Sequence, residues 1–286
     1  MTGFDVGWLD RRESADAAAR SAGLLEQLAQ LVREREPTQF VDLATGTGAN
    51  LRAVAPWLGA EQRWVAVDHD PALLAAFTDR MRRWAVQRGG KLQTRSETVE
   101  VLLPDSRLEI ELVTCDLSNG LDALSLSPAC VVTASALLDL VSEDWLSRVV
   151  ERCRVLGSIA CFALTYDGTV ALNPPVADDD WIVAALNRHQ RGDKGFGPAV
   201  GPAAADVAHR LFEQAGFRTL VSRSDWQLGA ADADLQAALF TGWAEAALDL
   251  FPQQPERIAA WLAARRSHVG VGTANASVGH LDLLAW

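Results

Sequence analysis

Apolar positions along the chain recur at two spacings, and the alternation between them sets the expected elements. Leu24, Leu28, Leu31 and Val32 share one face of an amphipathic helix over residues 14–35, which Pro37 ends. A short continuous apolar run, Phe40–Leu43, then predicts a buried strand, and residues 63–68 predict a second. Asp70 followed by Pro71 supplies a helix start. Leu74, Phe77, Met81 and Trp84 continue at helical spacing until Gly89 and Gly90 stop the run. Residues 98–103 and 108–115 predict strands around the turn Pro104-Asp105-Ser106, and residues 129–134 and 158–164 predict two more. Trp145, Leu146, Val149, Val150 and Cys153 mark an intervening helix.

Residues 165–201 lose this periodicity and are rich in Gly, Pro and charge, which predicts a functional loop or lid. A helix over 203–215 stops at Gly216, a strand covers 217–221, and helices are expected at about 232–250 and 255–267. Residues 278–286 close the chain as a last strand. About seven strands alternating with helices predict an α/β fold: a Rossmann-like, mostly parallel sheet with helices on both faces. With no repeat or linker, residues 1–286 are expected to form a single domain. Its parts are a helical cap (1–36), a core sheet (37–228 and 275–286), the lid (165–201) and a helical insertion (229–273) before the last strand.

Composition narrows the partners. With 26 basic and 37 acidic residues the formal charge is −11, opposite to the basic footprint that phosphate binding requires. The expected partner is a small molecule, not nucleic acid. The first ten residues lack the basic-then-apolar design of a secretory signal, and no apolar run is long enough for a bilayer, so a cytoplasmic location without membrane insertion is expected. Cys115, Cys130, Cys153 and Cys161 are scattered with no Cys-x-x-Cys pair, which predicts free thiols and no metal.

The chemistry starts where the first strand ends. Asp42 is followed by Gly46 and Gly48, an Asp-x-x-x-Gly-x-Gly turn leading into a helix. Glycines let the backbone bend sharply and approach a ligand, and the crevice beyond strand ends is where nucleotide-like ligands bind in open α/β sheets. A dinucleotide fingerprint needs a third glycine where this chain has Leu51. The turn resembles the first motif of class I S-adenosylmethionine-dependent methyltransferases, a likeness that extends over most of residues 38–228 and includes Ala215-Gly216-Phe217 before the sixth strand. It implies a seven-stranded sheet with an antiparallel last strand, S-adenosylmethionine as cofactor, and methyl transfer to a small molecule by direct displacement.

The resemblance also implies roles for residues. Asp42, Ala44, Gly46, Gly48 and Asn50 hold the methionine end of the cofactor. Asp68, at the end of the second strand, meets the ribose, while Asp70 caps the next helix. His69 is either an adenine-pocket residue or a loop histidine. Asp116 and Leu117 meet the adenine, or Asp116 is an ordinary turn aspartate. Ser135 faces the methyl group, and Arg12 or Arg20 reaches the cofactor carboxylate or pairs at the surface.

Asp139, among Leu138, Leu140 and Val141, either has a raised pKa in a substrate pocket or caps a helix. An amine acceptor needs only to be neutral. A hydroxyl needs a base, for which Asp139, His189 and Asp167 are the catalytic candidates. Asn173-Pro174-Pro175-Val176 is similar to the Asn-Pro-Pro-aromatic motif of amino-methylating nucleic-acid enzymes. It follows the fifth strand and ends in valine, lacking the ring that stacks on a flipped base. Two alternatives stay open: a domain that binds S-adenosylmethionine without transferring its methyl group, and a nicotinamide-dependent oxidoreductase.

Overall fold

The computed structural model describes residues 5–95 and 98–286; residues 1–4, the start of the expected cap, lie outside the described residues. The N-terminal segment forms two helices where one was expected, α1 (Val6–Ala19) and α2 (Ala22–Arg35). The break follows from Ser21, whose side chain accepts from the backbone N–H of Leu24 and so caps a new helix. Then come β1 (Phe40–Leu43), α3 (Ala49–Val54), β2 (Glu61–Asp68) and α4 (Pro71–Gln87). Asp70 caps α4 through the Ala72 N–H at 2.8 Å, as its sequence context predicts.

A three-stranded antiparallel ribbon follows: β3 (Lys91–Arg95), β4 (Thr98–Leu102) and β5 (Arg107–Thr114). The rest of the chain adds β6 (Val131–Ser135), α5 (Glu143–Leu156), β7 (Ile159–Asn173), α6 (Asp179–His189), α7 (Ala204–Gln214), β8 (Thr219–Arg223), β9 (Trp226–Leu228), α8 (Ala233–Leu250), α9 (Pro255–Gly270) and β10 (Asn275–Ala285).

Among the described residues the strands form one sheet of ten, in the order β3-β4-β5-β2-β1-β6-β7-β10-β8, with β9 also on β10. The run β5-β2-β1-β6-β7 is parallel, and β10 is antiparallel to both its neighbours. The strands that the sequence did not announce are β3 and β9, whereas β4 falls on the strand expected over 98–103. Strand β3 is exposed except at Leu92, so no hydrophobic alternation announces it, and β9 is too short to carry a pattern.

Alternation along the strands sends side chains to opposite faces. Val41 and Leu43 join α5 and α7 in one core around Trp145 and Phe212, whereas Phe40 and Trp64 join α2 and α4 in another around Leu28 and Phe77. A third core corrects the expectation of a 37-residue irregular lid over 165–201. Strand β7 continues to Asn173 because β10 pairs with it up to Asn275, and α6 follows, leaving only a short irregular stretch before α7. Ile182 and Leu186 of α6, Phe240 and Trp243 of α8, Trp261 of α9, Trp226 of β9 and Tyr166 of β7 pack together. The expected lid and the 229–273 insertion are therefore one cap, joined by a buried ion pair between Asp179 of α6 and Arg265 of α9.

Candidate functional site

Asp42 is wholly buried and its carboxylate points into the fold. It accepts from Thr45 Oγ1 at 2.5 Å, Asn50 Nδ2 at 2.5 Å and Thr133 Oγ1 at 3.0 Å. Burial raises its pKa, against the pull of those three donors. Asp42 and Asn50 thus brace the turn after β1 from beneath. The turn itself runs through left-handed backbone at Ala44, Gly46 and Gly48. At Gly48 a Cβ would lie 2.5 Å from Phe77 Cε2, so only glycine fits.

The N–H of Gly46 donates to Asp68 Oδ2 at 2.8 Å, and Asp70 N donates to Asp68 Oδ1 at 3.0 Å. The acid closing β2 is therefore bonded directly to the glycine turn. His69 is exposed, with Nδ1 3.3 Å from Asp68 Oδ1. Asp116 is also exposed and caps the single turn over 117–119 through Ser118 N; hydrogen bonds from Ser118, and nearby His69, hold its pKa down. Leu117 is buried and its carbonyl accepts from Trp145 Nε1 at 2.5 Å.

At the end of β6, Ser135 Oγ accepts from Arg20 Nη2 at 3.2 Å. Beyond it Asp139 is 5% exposed, and its Oδ1 has no partner among the described residues. Burial pushes its pKa up to about 6, against the backbone amides of Asp139 and Tyr166 and the charge of Arg12. Three non-glycine residues with left-handed backbone, Ala44, Ala136 and Leu164, follow or interrupt the adjacent strands β1, β6 and β7. Backbone of this kind persists where the surroundings over-determine it, and it concentrates at functional sites. At Leu164 the fixing group is Asp282 of β10, which accepts from Leu164 N at 2.8 Å and from Ser21 N at 3.0 Å.

No family model matches the chain, and no curated protein is similar to it in sequence. Among solved structures, a cyclopropane-fatty-acyl-phospholipid synthase-like protein from Lactobacillus casei is 13% identical over 98% of this chain and 99% of its own, with a TM-score of 0.50. A SAM-dependent methyltransferase from Geobacter sulfurreducens, in complex with S-adenosyl-L-homocysteine, is 14% identical over 99% of both chains, with a TM-score of 0.44. The antiparallel β10 between β7 and β8 in an otherwise parallel core decides the architecture. The chain has the class I methyltransferase fold.

In this methyltransferase fold α1 lies across the carboxyl edge of the sheet. A Cβ on Gly46 would come 3.0 Å from Leu9 Cδ1. Glu13 receives two bonds from Arg52, at 2.8 and 2.7 Å, and Asp10 two from Arg80, at 2.8 and 2.5 Å. Arg12 is committed to α1 and β9: it pairs with Asp16 at 2.9 and 3.1 Å and lies over the Trp226 ring, whose Nε1 also donates to Asp16. Of Arg12 and Arg20, Arg20 keeps a buried Nε with no partner among the described residues, and the buried Thr47 hydroxyl likewise has none.

His280 of β10 packs 4.8 Å from the Trp226 ring. Burial pushes its pKa down to about 4; Arg12 acts in the same direction, and Asp16, the Val278 carbonyl and Asp167 oppose. The imidazole is neutral in the folded protein. Its stabilising contribution is complete above about pH 6.5, where the unfolded group is also neutral, and is lost as pH falls towards about 4. The full difference is on the order of 3 kcal/mol. Urea titrations across that window are expected to show a shallower acid loss for His280→Gln than for the parent, and equal slopes would contradict the assignment.

The three catalytic candidates share no hydrogen bond among the described residues. Asp167 accepts from Thr169 and from Arg223 of β8 at 3.2 Å. His189, at the end of α6, has Nε2 3.3 Å from Asp249 of α8; burial, then Lys194, lower its pKa. Asp139 alone combines the carboxyl edge with a free oxygen. Thr133, Asp282 and His280 escape the sequence reading. An acid and a histidine inside the apolar run 278–286 were the available signal for two of them. A cleft of about 360 Å³ between β7, β9 and β10, and one of about 280 Å³ between α1 and β9, lie on the cap, away from the glycine turn.

Proposed function

We propose that the chain binds S-adenosylmethionine at the carboxyl edge and transfers its methyl group to a small molecule. The observation that carries this is the Gly46–Asp68 hydrogen bond, which unites an acid-led glycine turn with the acid closing β2. Each Asp68 oxygen takes one backbone amide, and a carboxylate has about four acceptor sites, so capacity remains for two ribose hydroxyls. The Gly48 backbone, Thr47 and the Nε of Arg20 would serve the methionine end, with His69, Asp116 and Leu117 at the adenine and Ser135 near the methyl group. When bound, the cofactor supplies an electrophilic methyl carbon. The protein's own part is to orient the acceptor, hold a proton at Asp139, and exclude water with α1.

The net charge of −11 favours a small molecule over nucleic acid. Leu51, wholly buried where a dinucleotide site has its third glycine, disfavours a nicotinamide cofactor. Binding without transfer is the second reading, favoured by Asp139, His189 and Asp167 sharing no hydrogen bond among the described residues. Calorimetry is expected to give affinity for S-adenosylmethionine and S-adenosylhomocysteine and none for NAD. No heat with either sulfur compound would sink the proposal. Binding without release of S-adenosylhomocysteine, across amine, hydroxyl and thiol acceptors, would establish the second reading instead.

A further inference from the structure

We propose that strand β8 pairs antiparallel with β8 of a second copy of this chain, joining two sheets into one across a two-fold axis at Val221. Such pairing is independent of what the carboxyl edge binds. Strand β8 ends the sheet, and among the described residues it pairs with β10 alone. At its centre two successive apolar residues stand open to solvent, Leu220 at 38% and Val221 at 36%. An edge strand with exposed apolar residues is a ready template for another strand.

The phase of the β8–β10 ladder fixes which groups face outward. Arg218 and Trp286 exchange both backbone hydrogen bonds, at 3.0 and 2.9 Å, and the Ser224 N–H donates to the His280 carbonyl at 2.9 Å. Between these points the register is unbroken, from Thr219 opposite Ala285 to Arg223 opposite Leu281. In an antiparallel ladder successive residues alternate between bonding to the partner and facing away from it. Arg218, Leu220, Ser222 and Ser224 therefore bond to β10, whereas Thr219, Val221 and Arg223 turn their N–H and C=O groups outward.

Those three outward positions are symmetric about Val221, so the strand is its own complement. With Val221 opposite Val221 of the second copy, and Thr219 opposite Arg223, each facing pair exchanges two hydrogen bonds. Moving the axis to Leu220 or Ser222 carries an outward residue past the end of the partner strand, so the register is set. No like charges oppose each other, since Arg223 meets Thr219 and Arg218 meets Ser224. The other end of the sheet differs. Paired with itself about Gln93, β3 would set Lys91 against Arg95, like charges directly opposite. Charge thus guards one edge against self-pairing and leaves the other open, which selects β8. Because β8 runs parallel to β7, the two carboxyl edges then point opposite ways, and each copy keeps its own glycine turn.

The test is sedimentation velocity over a dilution series of the full chain. A monomer–dimer equilibrium is expected. It should tighten as salt is added, because two copies of net charge −11 repel each other. Val221→Lys puts like charges on the axis and should weaken dimerisation by at least about tenfold. Val221→Pro removes an N–H that β10 does not use, and should weaken it as strongly while the circular dichroism stays that of the parent. Should the proline variant fail to fold, the lysine variant decides. In a Cys115→Ser background, a short bismaleimide should link copies through Val221→Cys and not through Gln93→Cys. A monomer at every concentration and salt overturns the proposal. So does a dimer that salt dissociates, one indifferent to the Val221 variants, or linkage through Gln93→Cys in place of Val221→Cys.

Discussion

Arg265→Ala is expected to destabilise the protein by about 3–5 kcal/mol, the cost of leaving one member of a buried ion pair without its partner. The Arg265 side chain is completely buried. It binds Asp179 through Nε at 2.9 Å and through Nη2, donates from Nη1 to the Pro174 carbonyl at 2.9 Å, and lies over the Phe240 ring. Trp261 Nε1 donates to the same Asp179 carboxylate at 2.8 Å. Removing the guanidinium leaves that carboxylate, whose side chain is 16% exposed, with only Trp261 Nε1 and the Val176 N–H as donors and no compensating charge. Lysine cannot reproduce the planar fork, so Arg265→Lys should recover little. Replacing both partners by apolar residues, Arg265→Met with Asp179→Leu, should recover much of the loss because no charge is then left uncompensated. Urea denaturation followed by circular dichroism gives the three values. A loss under about 1 kcal/mol for Arg265→Ala would mean that the pair does not hold α6 to α9.

The second large effect is expected at Asp42. Asp42→Ala removes the common acceptor of Thr45, Asn50 and Thr133 and opens a small polar void at the centre of the sheet. Unsatisfied buried donors cost about 1–3 kcal/mol each, and hydroxyls that can turn to other acceptors cost least, so a loss of about 3–5 kcal/mol is expected. Because Asn50 and Thr45 anchor the two ends of the glycine turn, affinity for S-adenosylmethionine should fall with stability, by at least about tenfold. Calorimetry below the melting temperature of the variant separates the two losses. Unchanged affinity in a folded Asp42→Ala protein would show that the turn keeps its shape without this brace.

How much of this was legible in the sequence depends on the range of the forces involved. The turn after β1 was legible because its requirements are local: apolar residues for a buried strand, then Gly46 and Gly48 where the backbone is left-handed. The α4 start at Asp70 was legible for the same reason. The break at Ser21 was missed because apolar periodicity runs across it, and a cap hydrogen bond outweighs that continuity. Strand β3 offered a single apolar residue, Leu92, and no alternation. The 165–201 stretch was misjudged because its order comes from partners far along the chain: β10 for β7, and α8 and α9 for α6. Within the site, the motif named Gly46 and Asp68 but not the hydrogen bond between them. That Asp139, His189 and Asp167 share no hydrogen bond among the described residues was not legible either, because nothing local pairs His189 with Asp249 or Asp167 with Arg223.

Strands β7 and β10 run from the core into the cap, paired from Ala160–Ala285 at one end to Asn173–Asn275 at the other across two register shifts. Any swing of the roof away from the base would tear a ladder of backbone hydrogen bonds. The first helix is held by side chains instead: the buried Asp16 to Trp226, and the more exposed pairs Asp10 to Arg80, Glu13 to Arg52 and Arg20 to Ser135. Added salt is therefore expected to weaken the charged fastenings of this helix well before it disturbs the β7–β10 ladder.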